Sequence, residues 1–481
     1  MRTATRLLFC AAAVVPAITA HNHHGGGSKI PEGETISPEP LGIVMWVHIF
    51  IQMFAYGVVF PIGMVLGIGK SRWHVPTQVL GTTLAIAGFF LGHAHTGREY
   101  KANNIHASFA WILQILLGAQ IVLGLYLKGH WEEGRINRPL RALLRPCHSV
   151  LGKIMPIVAW TQMVFGGITA LGICQGDYLG QCAAHFIMGS AFVGYGILLT
   201  IVLLVGQLWL RRRGRSQEFY DSAVIATFGC INTFTEHRWG TAWVRNDWQH
   251  TAIGIIWWCA GVVGMWLSWD HHSKKPKRNF IPGAVLFVTG WTMSAHPQEL
   301  MVSAATHAAF GFALMAAGVS RIVEIAFVLR DEHSVADGDG GWGWNSFQFL
   351  PIFCLYAAGF LLMGANAEQM ALIDASSIDH VSYILVLLSV ACIVFLFANV
   401  LIYIYDRLSN GQPNNVTDYP DGHVAGDDRV VPVGEGEFEL RGLMSDDDDD
   451  STYDDDPDES KRMLDSGGSS FEGNRSSTSG R

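Results

Sequence analysis

The sequence predicts an all-α polytopic membrane protein, with about 10–11 transmembrane helices in two helical-bundle units. Three observations point there. Half of the 481 residues are hydrophobic and only 15% are charged, against about a quarter in soluble domains. Apolar runs of roughly 20 residues, the length that spans the hydrocarbon of a bilayer, recur from residue 41 to residue 405. The basic residues form short clusters between those runs, without the stripe and interleaved aromatics of a nucleic-acid surface, so no nucleic-acid partner is expected. The surrounding partner is membrane lipid, and nothing in the sequence excludes a homo-oligomer. The net charge of -9 arises largely in a tail that contains Asp446 to Asp450 and Asp454 to Asp456.

Residues 1–20 read as a cleavable signal peptide: Arg2 and Arg6 precede an apolar run from Leu7 to Val15, and a small residue, Ala20, closes the segment. Residues 21–40 form a short polar leader. A cut after Ala20 would leave His21 with a free amine and His23 in third place, an arrangement that can hold copper(II) in a square plane; the alternative is a plain solvated leader. Spans are expected at 41–69, 75–95, 105–127, 148–173 and 183–210, making a first unit over 41–210. With the start of the first span outside, the loops holding Lys70 and Arg72, then Lys128 to Arg145, then Arg211 to Arg215 lie in the cytosol, as the positive-inside rule requires.

A second unit, 211–406, has clear spans at 248–269, 280–295, 301–329, 347–365 and 380–405, with a short, more polar candidate at 223–235 that contains Asn232. Counting that segment as a crossing puts the basic loop Lys274 to Arg278 in the cytosol, so eleven spans are preferred. The acidic tail, 407–481, is then cytosolic, and its composition reads as disordered. The expected location is the secretory and endomembrane system or the plasma membrane. Cys174 and Cys182 flank a short polar loop and can pair if it faces an oxidising lumen. Arg321 and Glu324, three apart on one span, most simply form an intrahelical ion pair, and Trp257 and Trp258 read as packing or interface residues.

Histidines carry the chemistry, because an ionisable side chain inside a span is costly and has a reason to be there. His48 and His106 fall at the outer level of the first four spans, and His74 and His148 at the inner level. Imidazoles facing each other from different helices can ligate haem iron in a dry bundle core, and two levels make two haems. Gly81 and Gly152 stand on the same helices at spacings that would let a macrocycle approach backbone. The alternative for each histidine alone is an interfacial imidazole with a satisfied ring. In the second unit His237, His250, His296 and His307 all come to the lumenal side, with Glu236, Asp247 and Glu299 near them. Histidine with carboxylate suits a transition metal, so these residues are a candidate metal or haem site, the alternative being helix-end histidines bonded to neighbouring carboxylates.

His48 with Pro61-Ile62-Gly63, the run from His74 to Gly81, His106 with Trp111 and Gln114, and the run from His148 to Gly152 resemble the four core helices of the cytochrome b-561 group over about residues 41–175. That resemblance implies two b-type haems, ligated His48 to His106 and His74 to His148. They would carry electrons from a cytosolic donor such as ascorbate to a lumenal acceptor, a ferric or cupric ion or oxidised ascorbate. As an enzyme the chain would be a trans-membrane oxidoreductase. The chain as a whole, with the runs from Asn232 to Trp239 and from Ser294 to Gln298, is similar to the fungal Ytp-type membrane proteins, which implies membrane residence. Two other functions stay open: a metal-handling protein or transporter using the lumenal histidines, and a cofactor-free assembly factor. Nucleotide and nucleophile motifs do not occur, so hydrolysis and nucleotide chemistry have no support.

Overall fold

The computed structural model of the protein describes residues 30, 33–129, 137–237, 240–295, 297–329 and 344–410. The expected signal peptide, most of the expected leader with His21 and His23, His296, and the residues from 411 onward lie outside the described residues.

Helix α1 runs from Ile43 to Ile68 through a wide π-type segment at Ala55–Val59. It is followed by α2 (His74–Ala94), α3 (Ile105–Lys128), α4 (Asn137–Leu171), α5 (Leu179–Leu204) and the short α6 (Gln207–Arg213). Then come α7 (Gln217–Thr235), α8 (Arg245–Leu267), α9 (Ile281–Ser294), α10 (Met301–Val323, with a π-type extension Glu324–Leu329), α11 (Phe349–Met363), α12 (Ala367–Ala375) and α13 (His380–Asn410). A two-residue strand pair, Trp269–Asp270 with Lys275–Pro276, closes the turn after α8.

Among the described residues nine helices are long and apolar enough to cross a membrane. Two further expected spans fall short for separate reasons. Helix α9 is apolar but has only 14 residues. Helix α7 starts six residues before the sequence-based segment, and the added turns bring in Glu218 and Asp221, which dilute its hydropathy. The fold is nonetheless the expected all-α polytopic membrane architecture. The expected fifth span, 183–210, is broken at Val205–Gly206, so its basic end forms a separate helix that stops at Gly214, in the left-handed region with φ 60.

In the first unit α1 packs on α2, and α3 packs on α4. The two pairs enclose a small core of Ala55, Tyr56, Phe60, Ala85, Leu113, Leu117, Met155 and Ala159, all buried. Gly81 admits the ring of Phe60 here, since a Cβ would lie 2.9 Å from Phe60 Cε1. At one end residues 35–41 fold back over the bundle. Ser37 and Glu99 exchange hydrogen bonds, the Ser37 N–H donating to the Glu99 carbonyl (3.0 Å) and the Glu99 N–H donating to Ser37 Oγ (2.7 Å). Arg98 donates to the carbonyls of Glu39 (2.9 Å) and Ala170 (3.2 Å), tying this cover to α4. Cys174 and Cys182 are joined in a disulfide that pins the loop between α4 and α5.

The second unit relies on close backbone contact through small residues, the usual means of packing helices in lipid. Gly229, Gly254, Gly261 and Gly264 form the α7–α8 seam, and Gly283 and Gly290 of α9 meet Gly318 and Gly311 of α10. Helix α11 is buried along almost its whole length and packs on α5 and α10. Within the first unit Trp160 Nε1 of α4 donates to Ser190 Oγ on α5 (2.9 Å), and the two units meet where α5 packs on α11 and where Gly69 lies beside Leu408 of α13. Trp257 packs inside the second unit and donates to Thr289 Oγ1 (2.7 Å), whereas Trp258 is half-exposed. Arg321 and Glu324 pair at 2.7 Å, as their spacing suggests, although the pair is buried rather than interfacial.

Candidate functional site

Two pairs of imidazoles face each other inside the first unit. His48 of α1 and His106 of α3 have ring centres 6.3 Å apart with planes at 87°. His74 of α2 and His148 of α4 have ring centres 6.4 Å apart with planes at 82°. The pairs sit at opposite ends of the core around Tyr56 and Leu117.

The rings are fixed from behind. His48 Nδ1 donates to the Gly88 carbonyl (2.6 Å), and His74 Nδ1 donates to the Gly63 carbonyl (2.7 Å). A carbonyl can only accept, so both rings carry the proton on Nδ1 and keep the Nε2 lone pair for a ligand. His106 Nδ1 lies 3.2 Å from the Gln162 carbonyl, and Gln162 Nε2 donates to the His106 carbonyl (2.9 Å). His148 differs: Gln120 Nε2 donates to its carbonyl (3.0 Å), while its Nδ1 is buried without a partner.

Each ring also lies against a glycine of its neighbouring helix. A Cβ at Gly92 would meet the His48 ring at 2.7 Å, one at Gly67 the His74 ring at 2.7 Å, one at Gly166 the His106 ring at 3.2 Å, and one at Gly124 the His148 ring at 3.3 Å. Gly81 and Gly152, the glycines that the sequence offers for the approach of a macrocycle, are not the ones beside the imidazoles. Gly81 faces Phe60, and Gly152 faces Gln120.

The arrangement is reciprocal. His74 and Gly92, His106 and Gly124, and His148 and Gly166 are each 18 residues apart on one helix. Five α-helical turns are about 18 residues, so each helix presents a histidine at one end and a glycine at the other on a single face, about 27 Å apart. On α1 the spacing from His48 to Gly67 is 19. The π-type segment Ala55–Val59 lies between them and absorbs the extra residue, restoring the common face. One turn further in, Gln52 packs on Gly88 and Gln78 on Gly63, and the α3–α4 pair places Gln120 against Gly152. Sequence reasoning finds the four histidines, Gly152 in another role, and Gly63 and Gln78 only as parts of the resemblance, but not Gly67, Gly88, Gly92, Gly166 or Gln52. The signal was the repeated 18-residue interval.

The second-unit residues separate into pairs instead of forming one ring. His237 Nδ1 meets Asp247 Oδ2 at 2.9 Å and stacks on Trp243. His250 Nδ1 lies 3.3 Å from Glu236. Glu299 is exposed, and His296 is outside the described residues. His307 faces a residue absent from the sequence-based set, His185 of α5, with ring centres 6.0 Å apart and planes at 81°. Their Nδ1 atoms donate to carbonyls of their own helices, Gln181 at 2.8 Å and Ser303 at 2.9 Å. Among the described residues no glycine lies against these two rings as the four glycines do in the first unit. Among the described residues no group of three or more His, Cys, Asp and Glu is placed to hold a metal ion.

A haem between two imidazoles requires two axial nitrogens, backbone that comes close, and little water. The facing imidazoles fit the first requirement at both levels, with His48 and His74 each anchored through Nδ1, while the four glycines seat the rings from behind. The apolar core between the levels fits the third.

A family model described as "Protein YTP1-like, C-terminal" matches residues 158–406, and a domain of unknown function matches residues 28–130. Protein YTP1 of Saccharomyces cerevisiae is 37% identical over 286 residues, covering 59% of this chain and 60% of that protein, so the matched stretch is less than two thirds of its length. An uncharacterised membrane protein of Schizosaccharomyces pombe is 22% identical over 472 residues, covering 73% of this chain and 91% of that one. A second uncharacterised membrane protein of S. cerevisiae is 25% identical over 178 residues, 32% of this chain and 27% of the relative. No solved structure matches. With one family model covering more than half of it and nine helices able to cross a bilayer, the chain is an integral membrane protein that belongs to the YTP1-like family.

Proposed function

We propose that the first unit binds two b-type haems, one between His48 and His106 and one between His74 and His148, and carries electrons across the membrane between a small-molecule donor and acceptor. The observation that carries this reading is the spacing of the rings. Nitrogen-to-metal bonds of about 2.0 Å, plus about 1.15 Å from nitrogen to ring centre, ask for ring centres about 6.3 Å apart. The two pairs stand at 6.3 and 6.4 Å. When bound, such a group supplies reversible one-electron transfer.

The chain's own residues do the rest. The carbonyls of Gly88 and Gly63 hold His48 and His74 in one tautomer and raise their basicity as ligands. Gly92, Gly67, Gly166 and Gly124 leave room at the back of each ring. Tyr56, Phe60, Leu113 and Met155 exclude water between the levels. The segment around Ser37 and Arg98 covers the His48–His106 end. The basic loops argue that the His74–His148 level faces the cytosol, which makes a reductant such as ascorbate the donor there and a ferric or cupric ion the acceptor opposite.

The test is a reduced-minus-oxidised absorption spectrum of the full chain purified in detergent, beside His106→Ala and His148→Ala. Two b-type signals are expected, with one lost in each variant. A colourless protein from cells supplied with haem would overturn the reading.

A further inference from the structure

A cavity of about 370 Å³ lies between α5 of the first unit and α7, α10 and α11 of the second, separate from the imidazole pairs. Its walls are mostly apolar, with Phe192, Leu199, Trp257 and Leu355 among them, but one end is polar: Tyr195, Gln217, Asp221, Arg321, Glu324 and Gln348. Charged groups at membrane depth are expensive and call for a use.

The charges at this end are unevenly paired. Glu218 is fully buried and accepts from Arg321 Nη2 (2.6 Å) and Arg278 Nη1 (3.0 Å). Glu324, 2% exposed, takes Arg321 Nη1 (2.7 Å) and Gln348 Nε2 (3.2 Å). Arg321 is thus held by two carboxylates, yet its Nε, in a residue 8% exposed, has no partner among the described residues. Asp221, 6% exposed, accepts from the Tyr195 hydroxyl, and among the described residues no cationic side chain is seen within 4 Å of it. The polar end therefore offers an acceptor, Asp221, and a donor, the Arg321 Nε–H.

A hydroxyl satisfies both, since it donates once and accepts twice. A phosphate or carboxylate head has no proton for Asp221, and an ammonium has no lone pair for Arg321. The cavity is in the range of small-molecule sites, which leaves no room for two acyl chains. Its route of entry is lateral. Leu198 and Phe228, on α5 and α7, line it and are 56% and 36% exposed, and at Gly194, also in its lining and one turn before Leu198, a Cβ would touch nothing. In a bilayer that opening faces hydrocarbon.

We propose that this cavity binds a membrane-soluble alcohol, a single apolar body with one hydroxyl head seated between Asp221 and Arg321. A sterol and a lipoquinol share that chemistry. The site does not depend on the haem reading.

The experiment is photo-crosslinking of the detergent-purified full chain with a diazirine-bearing sterol alcohol, followed by peptide mapping. Saturable labelling on α5 and α7 is expected, competed by unlabelled sterol but about tenfold less well by the same sterol with its hydroxyl acetylated, the loss of one buried hydrogen-bonded contact. Competition by a lipoquinol in preference to the sterol would assign the head to that source and still support the site. Asp221→Leu removes the acceptor. Gly194→Phe fills the entry without touching the ion pairs and so keeps the test valid if the first variant fails to fold. Labelling that does not saturate, that the acetate competes equally, or that Gly194→Phe leaves unchanged would mean annular lipid only and overturn the proposal.

Discussion

Gly92→Ala is the smallest change that addresses the imidazole architecture. Its Cβ would stand 2.7 Å from His48 Cε1 and Nδ1, against about 3.5–4.0 Å for relaxed contact between carbon atoms. Helix α2 cannot move away cheaply, because Gln52 occupies the next groove at Gly88. The His48 ring must therefore leave the Gly88 carbonyl, now 2.6 Å from Nδ1. Losing that bond costs about 1 kcal/mol, and forcing a methyl into a filled space adds about 1–3 kcal/mol. Together these weaken whatever the ring ligates by roughly 30- to 1,000-fold, taking 1.4 kcal/mol per decade. Haem per chain, measured by pyridine haemochrome after detergent purification, should fall from about two to about one under limiting haem. The signal that disappears should be the one missing in His106→Ala. Gly167→Ala is the matched control, since a Cβ there meets nothing within 4 Å although it adjoins Gly166. Equal haem content in Gly92→Ala and Gly167→Ala would refute the cradle.

Other outcomes follow from the same geometry. Deleting Val58, inside the π-type segment of α1, converts that turn to α-helix and should be tolerated, while deleting Leu84 from α2 turns His74 and Gly92 about 100° out of register and should abolish assembly, as read by size-exclusion of the solubilised protein. Glu218→Ala removes the acceptor that Arg278 and Arg321 share and should cost about 3–5 kcal/mol, seen as loss of the monodisperse peak, with Glu218→Gln less severe. Replacing Cys174 and Cys182 together by serine should lower stability by about 2–3 kcal/mol, read as a lower thermal midpoint that reductant no longer shifts.

The long apolar helices were legible because a run such as His380–Ser409 or Ile43–Ile68 leaves few alternatives in lipid. The four first-unit histidines were legible for the same reason: an imidazole on such a run stands out. Helix α7 was read short because its first turns carry Glu218 and Asp221, which look like loop residues until Arg278 and Arg321 arrive from 60 and 103 positions away. His185 was missed because it sits alone on its helix and acquires a meaning only opposite His307 of α10. The expected single ring of second-unit histidines fails for a local reason. His237 and His250 stand beside carboxylates within 14 residues of them, Asp247 and Glu236, which separates the two histidines into different pairs.

The reciprocal seating of histidine against glycine makes each helix pair resemble a key with teeth at both ends. If α2 slid past α1 by one residue, His48 would leave Gly92 and His74 would leave Gly67 in the same movement, so no shift improves one end at the expense of the other. The register is checked twice over a length of about 27 Å. Partial misalignment, the common failure of long apolar helices with featureless surfaces, has no favourable intermediate here. Conversely, a push on the ring at one face of the membrane bears on the glycine groove at the other face through a single rigid rod. The two ends of the first unit are thus one mechanical object.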